Sequence, residues 1–169
     1  MNQAEEAKLL EQLEQWNKKD EYSRCIRAIE AILEQERGYL LTVKLSRAYS
    51  NLAVLGDHGE HGTDSEVDGN LIQHAIRLLE SVRTQGENDP YWNARMGYSC
   101  LMAYSSATTA CEYAKRWLAL APDDPDAQKL VRDCEGYLEE ERTLALDLKE
   151  REEIIRRETP GDGRDVICK

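Results

Sequence analysis

The sequence predicts an all-α fold, and three observations carry that prediction. Apolar residues recur at spacings of three and four along seven segments, the mark of amphipathic helices. No stretch alternates apolar and polar residues with the period of 2 that a half-buried strand would show. Gly and Pro, which punctuate loop-rich and all-β chains, number only 10 and 4 in 169 residues. Hydrophobic residues make up 41% of the chain and charged residues 33%, enough apolar material for a core beneath a heavily solvated surface. Phe is absent, so the core must rely on Leu, Ile, Ala and Tyr.

The first helix is expected over residues 4 to 18, with Leu9, Leu10, Leu13 and Trp16 on one face. A polar break from Lys18 to Asp20 leads to the second, 21 to 36, which turns Tyr22, Cys25, Ile26, Ile29, Ile32 and Leu33 inward and stops at Gly38. The third, 39 to 55, carries Leu41, Leu45, Ala48, Tyr49 and Leu52. The segment GDHGEHGTDSEVDG, 56 to 69, reads as a solvated insertion. A fourth helix, 70 to 85, packs Ile72, Ala75, Ile76, Leu79 and Val82. Asp89 followed by Pro90 is an N-cap with Pro at the first helical position, so the fifth helix starts there and runs to about Tyr104. A sixth, 107 to 121, ends at Pro122. Pro125 opens a long seventh helix, 126 to 158, which Thr159, Pro160, Gly161 and Gly163 terminate, leaving 159 to 169 as a flexible tail.

Charge narrows the function classes. The chain stands at −11, which argues against nucleic acid, whose phosphates need clustered Lys and Arg. The charge is uneven: residues 38 to 55 sum to +2 and 70 to 122 to +1, so the middle of an acidic chain is mildly basic. Such a reversal can steer an acidic partner. No apolar run approaches the roughly 18 residues of a membrane span, so no membrane partner is expected. The N-terminal MNQAEEAKLL lacks the order of a secretory signal. The expected location is therefore the cytoplasm, with free thiols. Cys25, Cys100, Cys111, Cys134 and Cys168 follow no metal or redox spacing. The first four lie among apolar neighbours and read as small buried hydrophobes, while Cys168 lies in the tail.

The helices pair, and the pairs resemble one another. Leu45–Ser46–Arg47–Ala48–Tyr49 runs large-apolar, small, then Tyr, and Met96–Gly97 matches its first pair. Ala75 and Ala110 supply the small residue of the partner helix, and WLALAPDDPDA from Trp117 ends a pair at Pro122. On these residues the chain resembles the tetratricopeptide repeat family, whose helix–turn–helix unit is about 34 residues long. The resemblance covers residues 4 to about 135. It implies a right-handed α-solenoid of about three such repeats (4–37, 39–86 and 89–122, together the domain 4–122, with 56–69 inserted in the second). The helix 123–158 then caps the last repeat.

The resemblance also implies a non-enzymatic adaptor or scaffold that binds a peptide segment or protein surface in a concave groove lined by the first helix of each repeat. On this chain the groove-facing positions are Glu14, Asn17 and Lys18 in repeat one. Repeat two offers Lys44, Arg47 and Asn51, and repeat three Tyr91, Arg95, Tyr98 and Met102. Arg and Tyr are types enriched at interaction hot spots, and the local positive charge suits a partner with an acidic segment. Chaperone-type members clamp a C-terminal carboxylate; Arg95 fits that clamp, but repeat one holds Leu10 and Glu14 at the matched sites, which argues against chaperone tails.

A second reading comes from the long helix. Leu130, Cys134, Tyr137, Glu141, Leu144, Leu148, Arg151 and Ile155 recur at alternating four and three, a heptad seam interrupted by Glu141 and Arg151. Its first turns should cap the solenoid, and beyond about Glu140 it should project. Through Leu144, Leu148 and Ile155 the chain would self-associate as a structural assembly subunit. No catalytic constellation is present, no cofactor motif and no dedicated metal-loop spacing. His58 and His61 share the insertion with Asp57, Glu60, Asp64 and Asp68, a set able to ligate zinc, but the expected reading is a polar loop without metal.

Overall fold

The computed structural model describes residues 2–59, 68–103 and 107–158, and among these the structure is helical without a strand. The helices are α1 (Gln3–Asn17), α2 (Tyr22–Glu30), α3 (Tyr39–Leu55), α4 (Gly69–Ser81), α5 (Arg83–Gly86), α6 (Pro90–Met102), α7 (Ala107–Leu120) and α8 (Pro125–Glu158). Local chemistry accounts for their starts. Asn2 and Glu5 form a reciprocal capping box on α1, with both hydrogen bonds at 2.9 Å. Asp68 accepts from the backbone of Asn70 and Leu71 at the head of α4. Asp89 accepts from Tyr91 N at 2.8 Å ahead of Pro90, as the sequence predicts.

Two boundaries differ from expectation. The second helix ends at Glu30 rather than 36, and residues 34–36 form a separate 3₁₀ turn. The guanidinium of Arg37 folds back and donates to the carbonyls of Ile32 (2.9 Å) and Glu30 (3.2 Å), satisfying groups the ending helix leaves free. Leu33 is thereby turned out to solvent, and Gly38 is the N-cap of α3 rather than the stop of α2. The fourth helix breaks at Val82, which leaves helical geometry (φ −116°, ψ 18°), so α5 is a single turn. At its end Gly86 meets the face of Trp92: a Cβ there would lie 2.4 Å from the indole.

Helices adjacent in the chain pack in turn, α1 on α2, α2 on α3, α3 on α4, α4 on α6, α6 on α7 and α7 on α8. In addition α1 touches α3, α3 touches α6 and α6 touches α8, so these four form one continuous row. Small residues sit where helices cross most closely. Ser46 and Ala75 are fully buried against each other, and Ser46 Oγ donates to the Ala75 carbonyl at 3.0 Å. Gly97 meets α7 the same way: a Cβ there would lie 3.6 Å from Ala110 O and 2.9 Å from a Leu130 methyl.

One core cluster gathers Leu13, Cys25, Ile26, Ile29, Leu41, Leu45 and Ala48; a second is built around Trp92, Met96, Ala110, Ala114, Trp117, Leu130 and Cys134. Tyr39 at the head of α3 donates to Asp89 Oδ2 at 2.5 Å, tying it to the cap of α6. Ala127, Leu130 and Cys134 bury the start of α8, whereas every residue from Glu139 to Arg156 is exposed. The expected projection of the long helix is present.

The insertion begins differently from the free loop the sequence suggests. Asp57 accepts from Ser23 N at 2.8 Å, capping α2 from across the chain, and His58 N donates to Asp20 O at 2.8 Å. Burial disfavours the charged form of Asp57, but hydrogen bonds from Ser23, with His58 and the Tyr22 backbone, outweigh it and hold the carboxyl below its usual range. Residues 60–67 of the insertion, with His61 and Asp64, lie outside the described residues, as do Cys168 and the tail 159–169.

Cys25, Cys100, Cys111 and Cys134 are buried. Burial pushes the thiols of Cys25, Cys100 and Cys134 up to about 11, far from the thiolate that reacts. In native buffer at neutral pH all four should resist a thiol reagent and become reactive in denaturant, as peptide mapping by mass spectrometry will read. Labelling of any of them as fast as a free thiol would contradict this packing.

Candidate functional site

The row of α1, α3, α6 and α8 presents one face on which the expected groove residues come together. Lys44, Arg47 and Asn51 project from α3 at steps of three and four, and Tyr91, Arg95, Tyr98 and Met102 from α6 at steps of four, three and four. Each set therefore shares a helix face.

The α1 side of this face is neutralised from within. Lys44 Nζ donates to Glu14 Oε1, and Arg47 Nη1 reaches the same oxygen at 3.4 Å. Burial disfavours the Glu14 carboxylate, but the Lys44 hydrogen bond and the charges of Lys44, Arg47 and Lys18 prevail and hold it below its ordinary 4.5. The contact is in place above that ordinary value and is lost only as pH falls through the lowered one. Arg47 Nη1 also reaches Tyr91 Oη at 3.4 Å, and Asn51 Nδ2 donates to Asn17 Oδ1 at 3.2 Å. Lys44, Arg47 and Asn51 are thus partly committed to α1 and α6.

Arg95 is different. Its guanidinium lies over two rings, 5.3 Å from the centre of Tyr91 and 5.4 Å from that of Tyr98. Such cation–π contacts favour the charge without neutralising it. No carboxylate forms an ion pair with it among the described residues, and its Nε is buried with no hydrogen-bond partner. Burial pushes the group down from its usual value, with the charge of Arg47 adding to that and Tyr91, Tyr98 and the Asp126 carboxylate opposing it. It remains a cation at any physiological pH.

Arg95 lines a cleft of about 270 Å³ between α3 and α6, with Ser50, Asn51, Val54, Tyr98, Ser99 and Met102 around it. Ser50 and Ser99 meet hydroxyl to hydroxyl at 3.0 Å across its base. Neither serine is among the groove positions expected from the sequence. Their signal was present in the helical spacing, since Ser99 follows Arg95 by four and Ser50 precedes Val54 by four. Arg47 and Arg95 are expected to face the groove, away from the packing stripe. Both are partly buried and each has a buried Nε without a partner, because the α3–α6 contact covers their stems.

Among the described residues no group of three or more His, Cys, Asp or Glu is placed to hold a metal ion. None of their helices is long and apolar enough to cross a membrane. Compared with protein-family models, curated proteins and solved structures, the chain matches none.

Proposed function

We propose that the chain is a non-enzymatic interaction module. In this reading it is a right-handed solenoid of three tetratricopeptide-like hairpins, capped by α8, whose inner face takes an acidic or carboxylate-bearing segment of a partner protein. The observation that carries the reading is Arg95, a cation at a cleft, with two tyrosine rings within 5.4 Å of its guanidinium carbon and no ion pair among the described residues. A guanidinium offers paired donors to a planar carboxylate. The rings give a ligand backbone flat contact area at small entropic cost. The pairing of Ser46 with Ala75 and of Gly97 with Ala110 at two helix crossings supports the repeat reading. So does the recurrence of a basic residue at one place in the motif, Lys44 before Leu45–Ser46 and Arg95 before Met96–Gly97.

The test is a fluorescence titration with labelled Glu-rich peptides, one ending in a free carboxylate and one amidated, at two salt concentrations. Arg95→Gln should weaken acidic-peptide binding by about tenfold or more, the worth of a charge-assisted hydrogen bond, and flatten its salt dependence. Arg95→Lys should recover only part of the affinity, because an ammonium lacks the fork. Equal affinities for wild type and Arg95→Gln, with unchanged helicity, would remove the cleft as the recognition site.

A further inference from the structure

The exposed half of α8 carries a pattern that its interruptions complete rather than spoil. Tyr137, Glu141, Leu144, Leu148, Arg151 and Ile155 lie along one face of the helix. Tyr137, Leu144, Leu148 and Ile155 are each more than half exposed. Glu141 and Arg151 enter no ion pair among the described residues, although the same helix pairs Lys129 with Asp133 and Arg142 with Glu139. The face reads as a palindrome about its midpoint. Laid antiparallel on a second copy and centred on residue 146, Leu144 meets Leu148, Glu141 meets Arg151 and Tyr137 meets Ile155. Each of these contacts occurs twice by the two-fold axis. In a parallel pair Glu141 would face Glu141 and Arg151 would face Arg151, and both like-charge contacts oppose association.

We propose that the projecting half of α8 forms an antiparallel homodimer with a second copy of this chain, its register set by reciprocal Glu141–Arg151 pairs. The inference concerns a different helix from those of the Arg95 cleft, although Met102 lines the clefts at both places, and it stands without that reading. A second, independent feature lies where the partner helix would end. Tyr137 to Ile155 spans about 27 Å of helix, so the partner's Ile155 arrives at the root of the projection. There Leu101, Met102, Ala107, Tyr137 and Glu141 line a cleft of about 220 Å³. It offers apolar surface to the partner's Ile154 and Ile155, both exposed in the single chain. Beside the seam, Ala145 faces its own copy and lets the helices approach. Asp147 also faces its copy, at an edge where both carboxylates reach water, and that contact is the arrangement's cost. Leu146 lies on the opposite face and takes no part.

Sedimentation equilibrium of the full chain in reducing buffer, from low to high micromolar concentration, tests the proposal. The wild type should pass from monomer to dimer over that range, and Leu144→Asp with Leu148→Asp should remain monomeric with its helical body intact. Glu141→Arg alone, or Arg151→Glu alone, should weaken the dimer by about tenfold or more, since each creates like-charge contacts twice. The two reversals together should restore it to within about threefold. A wild type that stays monomeric overturns the proposal and leaves the seam to a different chain. A dimer that survives the double Asp variant places association elsewhere and overturns it equally. Single reversals without effect, or a double reversal that fails to restore the dimer, overturn the antiparallel register.

Discussion

Replacing Trp92 with Ala is expected to cost about 3–5 kcal/mol, the range for emptying a large aromatic site in a core. The indole is completely buried. It stands edge-on to Tyr113 at 5.6 Å and donates from Nε1 to the Leu79 carbonyl at 3.0 Å. The truncation therefore removes apolar area, an aromatic pair and a hydrogen bond together, and it orphans a buried carbonyl. Relaxation into the space is restricted. The wall opposite the ring is the backbone of Gly86, already close enough that a Cβ would overlap the indole, and backbone cannot extend to fill a void. Urea denaturation with the slope unchanged will read the loss as a shift in midpoint. A loss below about 1 kcal/mol, the size of a surface substitution, would mean that this corner of the molecule is not packed as described.

Trp92 also illustrates what the sequence shows and what it conceals. The helix that bears it is legible because Asp89–Pro90 marks its start by a local rule: an oxygen to cap the first amides and a φ already set for helix. That α6 and α7 pair closely is legible too, since Gly97 and Ala110 are small at helical spacing and small residues let axes approach. Contacts that depend on residues far apart in the chain are not legible. The bond from Tyr39 to Asp89 crosses fifty positions, and the donor side of the α2 cap comes to rest on Asp57, thirty-four residues on. No periodicity encodes either. The early end of α2 was hidden for a related reason. Its apolar spacing continues through Ile32 and Leu33, but Arg37 folds back to take the carbonyls, and side-chain capping of that kind leaves no trace in a hydrophobic pattern.

The candidate site divides along the same line. Lys44, Arg47, Asn51, Tyr91, Arg95, Tyr98 and Met102 follow from the groove that the family resemblance implies, together with helix face, and the fold gathers them on adjacent helices. Which of the cations is available to a ligand was not legible, because that depends on where Glu14 lands. It lands on Lys44 and Arg47. The net positive charge of the central helices thus overstates what the α3 part of the face can offer, and Arg95 is left as the cation of the cleft that enters no ion pair among the described residues, with Asp126 acting on it from beyond ion-pair distance. Its partial burial changes the experiment as well. Arg95→Glu would put a carboxylate over the faces of two rings and confuse lost binding with lost packing, so a neutral residue of similar length is the informative substitution.

Trp117→Ala should also cost about 3–5 kcal/mol, and unlike the loss at Trp92 it should reach the cleft. Trp117 is 6% exposed and packs in the cluster that holds α8 down through Ala127, Leu130 and Cys134. Its ring meets Tyr98 edge-on at 6.0 Å, and Tyr98 in turn lies under Arg95. Removing the indole leaves Tyr98 without a wall behind it, so the ring gains rotamers and the guanidinium loses one of its two ring contacts. The two tryptophan variants thereby form a matched pair of similar destabilisation and different reach. Trp92 has Tyr113 for its ring partner, so Trp92→Ala should lower the urea midpoint and leave acidic-peptide affinity near wild type at temperatures where the variant stays folded. Trp117→Ala should lower both, with affinity falling by a few fold as the bound geometry must be ordered at the moment of binding. Trp117→Phe, which keeps a ring against Tyr98, should restore most of the affinity while recovering only part of the stability. If both alanine variants lose affinity equally, the effect is general loosening. If neither does, the cleft holds Arg95 in place without help from the core beneath Tyr98.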